Sequence, residues 1–556
     1  MTNPPKGGAF LLENTAPEAV FTPEDLTPEH RAIAKTTEEF WTRDIAPRLD
    51  AIRHQQYAVA AGILKKSAAA GLLGVVIPER FGGMEMDLTS MMIVAEGVAR
   101  DGSYAAWHGA HAGIGTLPVL LFGTEAQKSR YLPQLASAEM IAAYCLSEPQ
   151  AGSDALAART RADLSPDRTH YLLSGQKMWI TNGGFADLYT VFAKIGGEKF
   201  TAFLVERAWP GVSTGAEEHK MGLQGSSTTA VYFDNVRVPV ENVLGEIGRG
   251  HIIAFNILNL GRLMLGAFAQ GGCREALSTS IRYARDRRAF GRPIAEFGLI
   301  QHKLAEMAIR MYASESMLYR ATGDIDRAGP LLQAAEEFAI ESSLVKIFAS
   351  EALDYVVDEG VQIHGGYGFH HDYEIEHAYR DARVNRIFEG TNEINRLLAA
   401  GMLLKRAQRG VLPLADAVKK LTPEPGLDVI ENVKKIGLFV LGAAYQKYQG
   451  AIEEQQEIVA AVTDIAMNCY ALESALLRAR KCGRDNAKDL AAVFAGEAME
   501  AIQAAARMVA AACSEGDALR ANLDVLQRLA NPEPADTIGL RRRIAARLIQ
   551  AGHYVV

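Results

Sequence analysis

Cysteine is scarce in this sequence of 556 residues. The five cysteines are widely spaced, form no Cys-x-x-Cys pair and have no histidines at the spacing of zinc ligands; they are Cys145, Cys273, Cys469, Cys482 and Cys513. Neither a disulfide framework nor a metal site is therefore predicted. A reducing compartment is the simpler expectation, in which each cysteine is a small buried hydrophobic residue.

Basic residues are not in excess, and long apolar runs are missing. The 58 lysines and arginines against 66 acidic residues give a net charge of -8, which argues against a nucleic-acid partner. No uninterrupted apolar run approaches about eighteen residues, so a membrane-spanning helix is not expected. Residues 1–22 lack the charged start and apolar core of a signal peptide and the Arg-rich composition of a transit peptide. The default expectation is a cytoplasmic protein.

The common nucleotide-binding and hydrolase motifs are also absent. No Gly-x-Gly-x-x-Gly lies between a strand and a helix, and there is no Gly-Lys-Ser/Thr loop, nucleophile elbow or His-Glu-x-x-His. Gly365–Gly368 is rich in glycine, but by itself it is more typical of a turn than of a cofactor loop.

The composition that remains is that of a soluble globular protein, with 49% hydrophobic and 22% charged residues. Apolar residues recur at helical spacing from Thr27 to about Ala70, and again from His251 to Leu404. Segregated helical and strand regions predict the α+β class and not a doubly wound sheet. The strand-like segments between the helical regions are Tyr171–Ile180, Leu188–Lys194, Phe200–Val205 and Thr229–Val238.

Five regions follow from these patterns. We predict an N-terminal helical domain at 25–142, a β-domain at 143–245, a second helical domain at 246–406, a proline-punctuated linker at 407–426 and a C-terminal helical domain at 427–556. Ile436–Tyr445 is the most apolar stretch of the last domain, and lysines flank it. It is too short to span a bilayer, so a buried core helix is favoured and contact with a membrane surface is the alternative.

Glycine is dense in the helical pattern of Ala105–Phe122, where Gly109, Gly113 and Gly115 stand among large residues. Each costs about 1 kcal/mol relative to alanine in a helix, so close packing is expected there. Two interpretations remain open: tight helix crossing, or space for a long apolar ligand.

The segment Arg386–Arg396 contains the most plausible catalytic group. Glu389 follows an aliphatic and an aromatic residue and precedes Gly390, which can let the backbone approach a ligand. Burial would raise the pKa of such a carboxylate and suit it to act as a base. The alternative is that Gly390 is a turn, Asn392 caps a helix and Glu389 is exposed.

Three further loops mix polar groups with glycine: Ser147–Asp154, Trp179–Gly184 and Arg285–Arg292. Each loop, taken by itself, is typical of an ordinary turn. Together, residues from about 25 to 405 resemble the acyl-CoA dehydrogenase family, and the C-terminal block, Phe255–Arg262 and Phe297–Gln301 resemble its very-long-chain branch. The motifs that carry the family resemblance are Tyr144–Pro149, Gly175–Gly183, Phe233–Pro239, Gln362–Gly368 and the stretch beginning at Glu389.

The resemblance implies that FAD is bound without a Rossmann fold, partly across a homodimer. Cofactor contacts would come from the β-domain, the second helical domain and the catalytic segment, namely Tyr144, Leu146, Ser147, Trp179, Ile180, Thr181, Arg287, Phe290, Gln301, Gln362, Gly366, Thr391 and Glu393. Trp179 would cover the flavin ring, and Thr181 would bond its reactive edge. Substrate contacts would come from Ser153, Asn259, Arg262 and Gly390.

By the same resemblance, Glu389 would remove the α-proton of an acyl-CoA thioester while the β-hydrogen leaves as a hydride to the flavin. The backbone N–H of Glu389 and a flavin hydroxyl would stabilise the enolate oxygen. Some members carry their base at the position of Gly261, where this sequence has no side chain. We expect long-chain acyl-CoA as the substrate in β-oxidation, and an electron-transfer flavoprotein as the acceptor.

Two alternatives are an acyl-CoA oxidase, whose reduced flavin reacts with oxygen, and a non-catalytic scaffold or assembly factor that keeps the fold. The C-terminal domain is expected to pack where tetrameric relatives dock a second dimer. It would favour a homodimer, and its first part could place the protein at the periphery of the inner membrane.

Overall fold

A computed structural model describes residues 6–426, 428–530 and 535–556, which divide into two compact units. The β unit comprises Thr27–Gly272 and Arg380–Val384. The helical unit comprises the described residues up to Leu26, Cys273–Tyr379 and the described part of Asn385–Val556. Leu427, the predicted beginning of the C-terminal domain, lies outside the described residues.

Helices begin the β unit, as predicted. Thr27 caps the first of them, because its Oγ1 accepts a hydrogen bond from the His30 N–H (3.2 Å) and Pro28 fixes the first turn. The helices are α1 (Pro28–Phe40), α2 (Leu49–Arg53), α3 (Tyr57–Ala69), α4 (Leu88–Val98), α5 (Gly102–His108), α6 (Leu117–Phe122) and α7 (Glu125–Ala136).

The predicted helix over Ala105–Phe122 is interrupted. Between α5 and α6 lies a π-helical segment, Gly109–Gly115, in which Gly113 departs from helical geometry (φ -90°, ψ -105°). A Cβ on Gly109 would stand 2.6 Å from the Phe268 ring, and one on Gly113 would stand 2.8 Å from the Met264 side chain. The glycines therefore serve a close crossing with the helix that carries Met264 and Phe268.

The four predicted strands are confirmed within a mixed sheet. The short strands were not predicted, because segments such as Ala142–Cys145 are buried on both faces and show no alternation. The strands are β1 (Ala142–Cys145), β2 (Arg161–Leu164), β3 (His170–Thr181), β4 (Leu188–Ile195), β5 (Lys199–Glu206), β6 (Val212–Glu217), β7 (Thr228–Pro239) and β8 (Val243–Leu244). Their order in the sheet is β6-β7-β3-β2-β4-β5-β8, and β1 also pairs with β4.

The chain passes from one unit to the other within α8 (Gly250–Asp286). By length and composition α8 could cross a membrane, but 78% of its most apolar window is buried, as in the core helix of a globular protein. A small hairpin that the sequence did not predict follows, β9 (Arg288–Ala289) and β10 (Arg292–Pro293). The helices after it are α9 (Gly298–Ala328), α10 (Leu331–Glu337), α11 (Ala339–His364), α12 (Glu374–Ala382) and α13 (Asn392–Gln408).

The predicted linker contains a short helix, α14 (Leu414–Lys419), and is anchored by buried Leu412 and Leu414. The remaining helices are α15 (Val429–Tyr448), α16 (Gln456–Cys482), α17 (Asp485–Cys513), α18 (Gly516–Leu529) and α19 (Thr537–Ala551). In α15, Ile436, Val440 and Ala444 are at most 1% exposed, which supports the core-helix interpretation over membrane contact.

All five cysteines are free thiols. Cys145, Cys273 and Cys469 are buried as predicted, whereas Cys482 and Cys513 are only partly buried. No group of three or more metal-binding side chains occurs in the described residues.

Candidate active site

A buried ion pair organises the predicted flavin loop in the β unit. Lys177 on β3 is 0% exposed, and its Nζ donates to Glu148 Oε1 (2.7 Å) and to the Leu146 carbonyl (3.2 Å). The Glu148 carboxylate also accepts from the N–H groups of Arg159 (2.6 Å) and Thr160 (3.1 Å). Burial alone would raise the pKa of Glu148, but Lys177 and these donors outweigh it and lower that pKa below its ordinary value. The loop is thereby fixed to β3.

A β-bulge changes the face of the sheet on which the Trp179 side chain lies. The pairing of β3 with β7 shifts register between Lys177 and Ile180, and Trp179 adopts a left-handed backbone conformation with φ 58°. Simple alternation would bury Trp179 beside Lys177, but the bulge leaves its ring 59% exposed while Ile180 is 2% exposed. A strained backbone that presents an aromatic face is typical of ligand sites.

The other predicted residues of the β unit differ in exposure. Tyr144 and Leu146 are buried, Ser147 and Thr181 are partly buried, and Ser153 is exposed. Asn259 and Arg262 lie on α8, are 6% and 4% exposed, and share a hydrogen bond of 2.7 Å from the arginine to the amide oxygen. Gly261 lies between them.

In the helical unit, Phe290 stands at the tip of the β9–β10 hairpin. Phe290 (φ 50°) and Gly291 (φ 84°) are both left-handed, which is the backbone of a type I′ turn. The Phe290 side chain is 94% exposed. The ring meets the edge of Phe297 in the same unit, with the two ring centres 6.0 Å apart.

The unit also brings Arg287 next to the glycine-rich turn after α11. The Arg287 guanidinium lies 5.5 Å from the centre of the Tyr367 ring, and a Cβ on neighbouring Gly366 would meet nothing within 4 Å. Gln362 on α11 is exposed, and Gln301 on α9 donates to the Ala295 carbonyl (3.1 Å).

Glu389 lies in a turn of two left-handed residues, with φ 58° at Glu389 and φ 79° at Gly390. Its side chain is partly buried, and its Oε2 atom is shielded from solvent. The alternative interpretation, in which Asn392 caps a helix, is wrong on this point: Thr391 is the cap of α13, since its Oγ1 accepts from the Ile394 N–H (3.2 Å). Because the Glu389 side chain is partly buried, the alternative that left it exposed is not supported.

Two residues that the sequence did not single out hold this turn. Lys346 on α11 is 0% exposed and donates to the Gly390 carbonyl (2.8 Å) and to Asn392 Oδ1 (2.7 Å). The amide of Asn395, also 0% exposed, donates to the carbonyls of Glu389 (3.3 Å), Gly390 (2.8 Å) and Thr391 (3.1 Å). A lysine inside the apolar run Leu344–Ile347 was the available signal.

Comparison with known families matches most of this chain. The matches are described as "Acyl-CoA dehydrogenase, N-terminal domain" at 27–139, "middle domain" at 143–236, and "C-terminal domain" for two separate segments, 248–404 and 432–528. These ranges are similar to the predicted domains, whose boundaries remain predictions.

Individual relatives agree. A "Probable acyl-CoA dehydrogenase" of Bacillus subtilis is 47% identical over 99% of this chain and 98% of its own. The human "Very long-chain specific acyl-CoA dehydrogenase, mitochondrial" is 40% identical over 74% of this chain and 68% of its own. A crystal structure of an acyl-CoA dehydrogenase from Bacillus anthracis, complexed with FAD, is 46% identical, covers 99% of this chain and 100% of that one, and superposes with a TM-score of 0.97.

The fold and these similarities define an oxidoreductase of a family that uses FAD. The chain belongs to the acyl-CoA dehydrogenase family. Its N-terminal helical, middle β and second helical regions are those of that family, with an added C-terminal helical domain.

Proposed function

We propose that this protein catalyses the α,β-dehydrogenation of an acyl-CoA to a trans-2-enoyl-CoA in fatty-acid β-oxidation, with Glu389 as the base. The observation that carries the proposal is the Glu389 turn. A carboxylate is held on a left-handed backbone, one of its oxygens is shielded from solvent, and buried donors fix the main chain beneath it. Such strain persists where the surroundings impose it, and that is typical of catalytic positions.

In this reaction Glu389 takes the proton from the α-carbon, and the pair of electrons left behind forms the new double bond. FAD, when bound, supplies the acceptor for the β-hydrogen and its two electrons. The fixed turn keeps the carboxylate at one position, which contributes to the rate by orientation.

The residues present fit the cofactor. Trp179 and Phe290 offer exposed aromatic rings, Arg287 offers a cation suited to a pyrophosphate, and space is open beyond Gly366. We assign cofactor binding to Tyr144, Leu146, Ser147, Trp179, Ile180 and Thr181 of the β unit and to Arg287, Phe290, Gln301, Gln362, Gly366, Thr391 and Glu393 of the helical unit. Ser153, Asn259, Arg262 and Gly390 are assigned to the substrate.

We infer a preference for long-chain acyl groups from the similarity to the human very long-chain enzyme. Of the glycines that suggested a deep pocket, Gly109 and Gly113 face the side chains of Phe268 and Met264, which occupy that space. Turnover measured across acyl chain lengths tests the inference, and a maximum at butyryl-CoA contradicts it.

An anaerobic titration with palmitoyl-CoA tests the function. The wild-type flavin should lose its visible absorbance, and Glu389→Gln should bleach about 10²- to 10⁴-fold more slowly, the usual contribution of a general base. Glu336→Gln, an exposed acid on α10, is the control and should match the wild type. Bleaching of Glu389→Gln at the wild-type rate would reject the assignment of the base.

We further propose an electron-transfer flavoprotein as the acceptor, a cytoplasmic location and a homodimer. Rapid reoxidation by that flavoprotein without peroxide release supports the dehydrogenase, whereas stoichiometric peroxide identifies an oxidase. A purified protein without flavin absorbance would favour the scaffold. Light scattering that gives a tetramer would contradict the dimer.

A further inference from the structure

The turn that carries Glu389 leads directly into α13, and the next residues of that helix continue its support. Asn395 bonds three carbonyls of the turn, and Arg396 follows it. Arg396 is mostly buried, with 16% of its side chain exposed. Because Arg396 follows Asn395 on the same helix, the position of Arg396 also affects the position of Asn395.

The Arg396 guanidinium bridges two helices of the helical unit. On one side Nη1 and Nη2 donate to the Glu351 carboxylate on α11 (2.8 and 3.2 Å). On the other side Nε donates to Asp464 Oδ1 on α16 (2.7 Å). A planar guanidinium satisfied in two directions has little freedom to rotate or shift.

The same turn of α16 also contacts the Arg396 main chain. Thr463, which is 0% exposed, donates its hydroxyl proton to the Arg396 carbonyl (2.6 Å). Two adjacent residues of α16 thus fix both the backbone and the side chain of one residue of α13. A buried hydroxyl and a charge-assisted bond are stronger constraints than apolar contact, because both are directional.

We propose that Thr463 and Asp464 are positioning residues for Glu389, through which the C-terminal helical domain sets the place of the catalytic turn. The proposal rests on the assignment of Glu389 as the base. Asn395 and Arg396 are neighbours on a rigid helix, so a displacement at Arg396 moves the amide that holds the carbonyls of Glu389, Gly390 and Thr391. The C-terminal domain then contributes to the reaction and does not act only as a packing element.

The test isolates proton abstraction from hydride transfer. The probe is an acyl-CoA analogue with sulfur in place of the β-carbon, which has an α-proton but no β-hydrogen to lose. Full-length, flavin-loaded protein is incubated with the probe in D₂O, and deuterium at the α-carbon is followed by mass spectrometry. The rate is expressed per bound flavin, so loss of cofactor does not imitate loss of the base.

Asp464→Asn should lower the exchange rate about 10- to 100-fold, the effect of a misplacement near 1 Å, with a smaller change in probe affinity. Asp464→Glu should restore part of the rate. Thr463→Val, which removes the hydroxyl at nearly constant volume, should lower the rate in the same direction and supplies a second route if Asp464→Asn does not fold.

Asp489→Asn is the matched control. Asp489 on α17 accepts from Arg543 (2.8 Å) and Arg547 (2.7 Å) on α19, within the same C-terminal domain. Its loss should lower the melting temperature and leave exchange per flavin unchanged. If Asp464→Asn and Asp489→Asn lower exchange equally, or if neither does, the positioning role is refuted. If Glu389→Gln still exchanges at the wild-type rate, the proposed function itself fails, and the positioning role fails with it.

Discussion

Two loops that carry predicted site residues, one in each unit, are both fixed by a lysine that is 0% exposed, but the two lysines are used differently. In the β unit, Lys177 donates to a carboxylate, Glu148, and to one carbonyl. In the helical unit, Lys346 donates to the carbonyl of Gly390 and to the amide oxygen of Asn392.

The difference is that Lys177 holds a loop in place, whereas Lys346 fixes the main-chain conformation of its turn. Glu148 and Lys177 join two segments by an ion pair, and the carboxylate distributes that constraint to the N–H groups of Arg159 and Thr160. Lys346 instead contacts the left-handed turn itself, where Gly390 has φ 79°. The first arrangement should govern stability and cofactor retention, and the second should govern the geometry of the proposed base, Glu389.

The largest expected loss of stability comes from breaking the ion pair between Lys177 and Glu148 in the β unit. Lys177→Met leaves Glu148, which is 2% exposed, without its ammonium partner, so the variant should lose about 3–5 kcal/mol of stability and most of its flavin. Thermal melting and the flavin-to-protein absorbance ratio measure both losses.

The double variant Lys177→Met/Glu148→Gln is the control for that prediction. Removing the second charge should recover part of the stability, since no buried carboxylate is then uncompensated. A double variant as unstable as the sum of the two single variants would show that the ion pair does not act as a unit.

The next effect is on turnover. Lys346→Met removes the donor to the Gly390 carbonyl and to Asn392 Oδ1, which should cost about 1–3 kcal/mol of stability. The turnover per bound flavin should fall by about 10-fold or more, because the carboxylate loses its fixed position. Steady-state kinetics with palmitoyl-CoA, normalised to flavin content, measure the loss.

Lys434→Met is the matched variant in the same unit. Lys434 is 5% exposed, lies on α15 and donates to the Glu473 carboxylate (2.5 Å) and the Glu13 carbonyl (2.6 Å). It should lose stability while its turnover per flavin stays at the wild-type value. Equal loss of turnover in both variants would refute the distinction between the lysines.

The contrast also shows what the sequence could predict. The α+β class, the four long strands and the loops around Ser147, Trp179 and Glu389 follow from local patterns, because alternation and turn chemistry are encoded in neighbouring residues. The family resemblance then gave Glu389 a role, and the structure places that residue in a strained and partly buried turn.

The supporting contacts could not be predicted in the same way. Lys346 is separated from Gly390 by 44 positions, and Asp464 from Arg396 by 68, so each pair forms only when helices pack. Trp179 shows a second limit: simple alternation places it on the buried face, and only the bulge opposite β7 turns it outwards. Bulges and buried ionic contacts depend on tertiary structure, which local patterns do not specify.

A smaller effect should come from the strained aromatic positions, Trp179 (φ 58°) in the β unit and Phe290 (φ 50°) in the helical unit. Replacing either by glycine should raise the stability of the flavin-free protein by about 1 kcal/mol, because glycine adopts positive φ without steric cost. The same variants should bind FAD more weakly. Alanine at these positions keeps the strain, so Trp179→Ala and Phe290→Ala should weaken FAD binding without the gain in melting temperature.

The smallest expected effect is the change in melting temperature at acidic pH. The pKa of Glu148 lies below its ordinary value of 4.5 in the folded protein, so the carboxylate contributes stability above pH 4.5 that is lost as the pH falls through the folded pKa. In Lys177→Met the burial of Glu148 remains without the ammonium, which should raise that pKa and reverse the sign of its contribution. Melting temperatures of the two proteins should therefore converge as the pH falls below 4.5.

The control is Lys488→Met, which removes an exposed lysine paired with Asp485. Its melting temperature should parallel that of the wild type at every pH. Parallel acid curves for wild type and Lys177→Met would mean that Lys177, like Lys346, acts through hydrogen-bond geometry and not through its charge.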